Sequence, residues 1–125
     1  MGERVGFIGV GMMGHGIAKN LLAKGFPLAV LGHRNRAPVE DLVARGATEA
    51  RTPRQLAENC SVVFLCVSGP PQVEAVVYGD DGILGGCRAG FVLIDCTTSN
   101  PALTRRIAAD LEGRGAAMAD APVTR

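Results

Sequence analysis

A chain of 125 residues is long enough for one domain with a real core, and 47% of it is hydrophobic. Its charges nearly cancel at +1, so it has no electrostatic basis for gripping nucleic acid or a membrane surface. No apolar run approaches the length of a membrane span.

Arg4–Ile8 is a short apolar run and predicts a first strand. Met12–Lys24 predicts a helix, with Ile17, Leu21 and Leu22 on one face and Gly25 at its end. Leu28–Leu31 predicts the second strand, Val39–Arg45 a short helix ended by Gly46, and Ala47–Glu49 a short third strand. At Thr52-Pro53-Arg54-Gln55 the threonine can cap, proline suits the first helical position, and Gln55 completes a capping box. That helix should end near Asn59. Ser61–Val67 is nearly all apolar, as a strand covered on both faces must be. Gln72–Tyr78 predicts a helix after Pro70-Pro71, Gly79–Gly90 is loop-rich, and Phe91–Asp95 is another buried strand. Asn100-Pro101 repeats the cap-then-proline signal and opens a helix to about Glu112, followed by a strand at Ala116–Ala119.

Strand and helix alternate throughout, which argues for an α/β fold with a parallel sheet covered by helices on both faces. Right-handed crossovers then give a Rossmann-type doubly wound sheet in the order 3-2-1-4-5-6.

Chemistry enters where the first strand ends. Gly9-Val10-Gly11-Met12-Met13-Gly14 is a G-x-G-x-x-G between strand and helix. Gly9 allows the tight turn, Gly11 lets a pyrophosphate approach bare backbone, and Gly14 lets helix and strand come close. The free N–H groups and dipole at the helix start attract that anion. The motif is weak alone, since the chain has 17 glycines. Its context points to a dinucleotide cofactor.

The end of the second strand bears on which one. An NAD site usually places a carboxylate there to hold the ribose hydroxyls. Here Gly32-His33-Arg34-Asn35-Arg36 offers none before Glu40. His33, Arg34 and Arg36 stand where a 2′-phosphate would lie, and guanidinium suits phosphate, so NADP is expected over NAD. Ligands in such sheets bind beyond the strands' carboxyl ends, where hydroxyls at Ser68, Thr97 and Thr98 could meet the nicotinamide half. Asn100 reads as a helix cap.

Cys60, Cys66, Cys87 and Cys96 form no C-x-x-C pair, and reduced thiols in a cytoplasmic protein are expected. The chain starts directly into a strand pattern, so a cleaved signal peptide is not expected. His15 and His33 have no acidic or thiol neighbours at ligand spacing, so no metal is expected.

Four segments in this order carry a family resemblance: G-F-I-G-V-G-M-M-G followed by A-K-N-L, the loop Val67–Gln72, D-C-T-T-S-N-P at Asp95–Pro101, and D-A-P-V at Asp120–Val123. The chain resembles the N-terminal domain of the β-hydroxyacid dehydrogenases, the family of 3-hydroxyisobutyrate dehydrogenase, glyoxylate/succinic semialdehyde reductases and 6-phosphogluconate dehydrogenase. The resemblance implies an oxidoreductase that moves hydride between a nicotinamide cofactor and a small 3-hydroxy acid or its aldehyde or keto form. It implies that Gly9 to Gly14 hold the pyrophosphate, that Val67, Ser68 and Gln72 flank the nucleotide, and that Thr98 sits by the nicotinamide. Gly32 stands where NAD-using members carry aspartate.

The resemblance further implies that Asp120–Val123 begins a substrate loop. That loop commonly continues Ser-Gly-Gly but here continues Thr124-Arg125. Thr124 can replace the serine hydroxyl, and Arg125 could pair with a substrate carboxylate. The family's catalytic lysine lies in an all-helical domain beyond residue 125, through which family members form homo-oligomers. Residues 1–125 are then one NAD(P)-binding domain without catalytic residues, inactive alone. Two alternatives stand beside this: a non-catalytic dinucleotide-sensing or interaction module, and an imine-reductase-like relative.

Overall fold

The computed structural model describes residues 4–9, 12–32, 37–67, 69–96 and 100–120, with backbone alone at 12–14 and 120. The elements run β1 (Val5–Ile8), α1 (Met12–Ala23), β2 (Leu28–Leu31), α2 (Ala37–Ala44), β3 (Thr48–Glu49), α3 (Pro53–Asn59), β4 (Val62–Leu65), α4 (Pro70–Tyr78), α5 (Ile83–Gly86), β5 (Val92–Asp95), α6 (Pro101–Glu112) and β6 (Ala117–Asp120). All strand pairs are parallel and the order is β3-β2-β1-β4-β5-β6, as expected.

Side-chain alternation divides the core between the two faces of the sheet. Val5, Phe7, Leu28 and Val30 face α1 and α2, meeting Ala18, Val39 and Leu42. Ile8, Ala29, Val63, Leu65 and Leu93 belong to the opposite core, with Leu56, Val73, Val77, Ile83, Ile107 and Leu111 from the other helices. Phe7 stacks on its register partner Phe64, with ring centroids 4.8 Å apart and planes within 9°. Such a pair adds about 0.5–1.5 kcal/mol beyond its buried area.

Local signals set the helix starts. Thr52 Oγ1 accepts from the Gln55 N–H at 3.0 Å, and Asn100 Oδ1 accepts from Ala102 and Leu103 N–H at 2.8 and 3.3 Å. The Gln55 side chain closes its half of the box one residue early, accepting from the Arg51 N–H at 2.7 Å rather than from Thr52. Helix α2 starts at Ala37, earlier than the apolar pattern indicates, and α4 at Pro70. Both early stretches contain proline, which supplies no apolar periodicity but fits a first helical turn.

The main departure is α5, inside the stretch expected to be loop. Its sequence, Ile-Leu-Gly-Gly, has poor helix propensity. Tertiary contact explains it: Ile83 is fully buried, and a Cβ on Gly86 would lie 2.5 Å from the Arg54 carbonyl oxygen of α3. The missing side chain lets α5 press against α3. Gly86→Ala should therefore cost about 1–3 kcal/mol in a urea melt, the range for overpacking a tight contact. Gly85→Ala, whose Cβ would meet nothing closer than Arg54 Cδ at 3.8 Å, should cost nothing measurable.

Candidate functional site

The strands end in step. Ile8 pairs with Leu31 and with Leu65, Leu65 with Asp95, and Asp95 with Asp120, so one row of residues marks the carboxyl edge of the sheet. β1 sits centrally, between β2 and β4, where the direction of winding reverses. That crevice is where an open α/β sheet binds ligands.

Gly9 lies at this point with φ +81°. Its N–H reaches the Leu31 carbonyl at 3.4 Å, while the Cys66 N–H donates to the Ile8 carbonyl at 2.9 Å. The turn is thus hung between the ends of β2 and β4. A Cβ on Gly9 would lie 2.2 Å from the Cys66 carbonyl oxygen and 2.8 Å from Val67 Cγ1. Glycine is required here twice over, by its backbone angle and by the neighbouring strand's exit. The sequence shows the first reason but not the second.

The 12-residue α1 follows, with no acidic residue in its first turn. The first N–H groups of any helix have no partner within it, and no carboxylate of this first turn would repel a diphosphate. These features fit a dinucleotide.

Of the expected nucleotide-contacting residues, the structure brings Gly9 and Val67 together. Gln72 is exposed on the first turn of α4, near Gly69. Met12, Met13 and Gly14 form the first turn of α1. Val10, Gly11, His33, Arg34, Arg36, Ser68, Thr97, Thr98, Thr124 and Arg125 lie outside the described residues. Gly32, half-buried, directly follows β2, and Glu40 belongs to α2 rather than to the strand end.

Two features here escape sequence reasoning. Cys66 and Cys96 stand side by side past the ends of β4 and β5, next to the buried Asp95. Burial, with Cys96 and Asp95 adding, pushes the Cys66 thiol up to about 12, and burial pushes Cys60 up to about 11. Cys66 matters to the turn through its carbonyl, which no side-chain pattern reports. The second is a pair that joins α1 to α2: His15 Nε2 lies 2.6 Å from Asp41 Oδ2. The two are 26 positions apart, so the acidic neighbour that His15 lacks in sequence is supplied by folding.

The family model described as the NAD binding domain of 6-phosphogluconate dehydrogenase matches residues 4–125. The chain is similar to "Probable 3-hydroxyisobutyrate dehydrogenase-like 2, mitochondrial" of Arabidopsis thaliana, at 37% identity over 97% of this chain and 40% of that protein. It is also similar to "Cytokine-like nuclear factor N-PAC" of Xenopus tropicalis, at 33% identity over 98% of this chain and 23% of that protein. A solved structure, "Psf3 in complex with NADP+ and 2-OPP", superposes with a TM-score of 0.87 at 32% identity, covering 97% of this chain and 43% of that one. The chain thus spans well under half the length of these relatives.

Gly9→Ala should lower the unfolding free energy by at least about 2 kcal/mol in chemical denaturation, from strain and clash together. The thiols predict a pH effect. Because folding raises the affinity of Cys60 and Cys66 for their protons, the unfolded chain ionises first as pH rises. Thermal stability should fall between pH 9 and 11, and the double Cys60→Ser, Cys66→Ser variant should flatten that slope.

Proposed function

Because the chain belongs to the family of the NAD binding domain of 6-phosphogluconate dehydrogenase, we propose that it is the nucleotide seat of an NADP-preferring oxidoreductase. The substrate in this reading is a small 3-hydroxy acid or its aldehyde or keto form. The observation that carries the reading is Gly9, held at φ +81° against the Cys66 carbonyl where the central strand feeds α1. The dehydrogenase name of the Arabidopsis relative supports the reaction class.

The cofactor, when bound, accepts or donates the hydride. This chain's own residues bind and orient it. The glycine turn and the first N–H groups of α1 hold the diphosphate, Val67 and Gln72 border the nucleotide, and Ser68, Thr97 and Thr98 supply hydroxyls toward the nicotinamide half. Thr124 and Arg125 are the proposed substrate contacts. The proton to or from the substrate oxygen belongs to a lysine that the family resemblance puts beyond residue 125. Lys19 lies in α1 and Lys24 just past its end, away from the row of strand ends, and neither serves.

NADP preference rests on the end of β2. Gly32 has no side chain with which to hold ribose hydroxyls, and His33, Arg34 and Arg36 follow it. The NADP+ named with the 32%-identical structure supports the same choice. Titration of NADPH and NADH by calorimetry tests it. NADPH should bind at least about tenfold tighter, as charge-assisted bonds to a phosphate allow, and Arg34→Ala should remove most of the difference. Equal affinities would overturn the preference, and no binding of either would overturn the site.

One observation favours a second reading, a nucleotide-binding module without turnover: the similarity to a protein named as a nuclear factor rather than as an enzyme.

A further inference from the structure

We propose that His15 and Asp41 form a positioning pair that helps the site distinguish NADPH from NADH, by tying α1, the helix that follows the glycine turn in the chain, to α2, the helix that follows the segment expected to meet the adenosine phosphate. The inference rests on the nucleotide site proposed above and adds residues that no glycine or phosphate pattern includes.

The geometry is specific. His15 sits in the first turn of α1, six residues beyond Gly9. Asp41 sits one turn into α2, five residues beyond Arg36. Nε2 of His15 faces Asp41 Oδ2 at 2.6 Å, and Arg45 Nε donates to the same oxygen at 2.9 Å. One carboxylate oxygen is therefore gripped from the neighbouring helix and from the residue just past the end of its own. Those bonds, the one from His15 foremost, hold the Asp41 carboxyl below the usual carboxylate range.

The pair divides its work with the core. Val39 and Leu42, both fully buried, press α2 onto the sheet beside α1. Apolar contact is non-directional, so it sets how close α2 lies but only loosely how far α2 slides or turns. A short hydrogen bond is directional and sets both. The side chains are 26% exposed at His15, 40% at Asp41 and 49% at Arg45. Pairs so open to water add little to folding stability. Their leverage is on position. The segment between β2 and α2 starts from a strand locked in the sheet at Leu31, so where α2 begins decides where that segment ends.

The test is nucleotide titration of the full chain, with a thermal melt of each variant. His15→Ala should weaken NADPH about fivefold and NADH less than about twofold, a coupling of ordinary size for residues in direct contact. The melting temperature should stay within about 2 °C, as expected for an exposed pair. In an Asp41→Ala background, His15→Ala should change the NADPH-to-NADH ratio no further. His15→Gln, whose amide can still donate to Asp41, should recover much of the ratio. Equal weakening of both nucleotides, an unchanged ratio, or an effect that persists without Asp41 would each overturn the pairing while leaving the site intact. Binding of neither nucleotide by the unaltered chain would overturn the site itself, and the pairing with it.

Discussion

The contact between Gly9 and the exit of β4 is the constraint on which the rest of this site depends. The backbone at Gly9 passes so near the Cys66 carbonyl that there is no room for even one methyl group, and its φ of +81° disfavours any side chain in any case. Hydrogen bonds from the turn to Leu31, and from Cys66 to Ile8, fasten it to both neighbouring strands. A diphosphate-binding turn must keep its N–H groups aimed before the ligand arrives, because ordering them during binding would cost affinity. Suspension between two strands holds Gly9, where the turn begins, in place.

That rigidity comes from the sheet. Four strands of four residues pair in register across the central part, and their last residues fall in one row. The two faces are not covered alike. Val63, Leu65 and Leu93 are fully buried beneath α3 to α6. On the opposite face, Phe7 and Val30 are sealed by α1 and α2, whereas Val62, Phe64, Val92 and Ile94 are only half-buried. The phenylalanine stack lies on the boundary between the covered and half-covered regions, under the central strand.

Polar side chains serve locally around this frame. Thr52 and Asn100 start helices, and the His15–Asp41–Arg45 group joins α1 to α2. On the far side, Arg106 reaches Glu74 at 2.6 Å and lies over the Tyr78 ring, joining α6 to α4. These links are largely exposed and add little stability, which the apolar contacts carry.

The sequence by itself determined the strand–helix alternation, the glycine turn and the two capped helix starts, because each depends on near neighbours along the chain, and the parallel order followed from that alternation because crossovers are right-handed. Apolar runs bounded by glycine and proline mark strands, and a threonine or asparagine before proline marks a helix start wherever it occurs. Only the tertiary structure decided the rest. Helix α5 forms against local preference because Ile83 is buried and Gly86 fits beneath Arg54. Cys66 shapes the glycine turn through a carbonyl group that every residue possesses. His15 meets an aspartate 26 residues away. All three are contacts between elements distant in sequence, and residue patterns along a chain record its own period and punctuation, not which surfaces folding will press together.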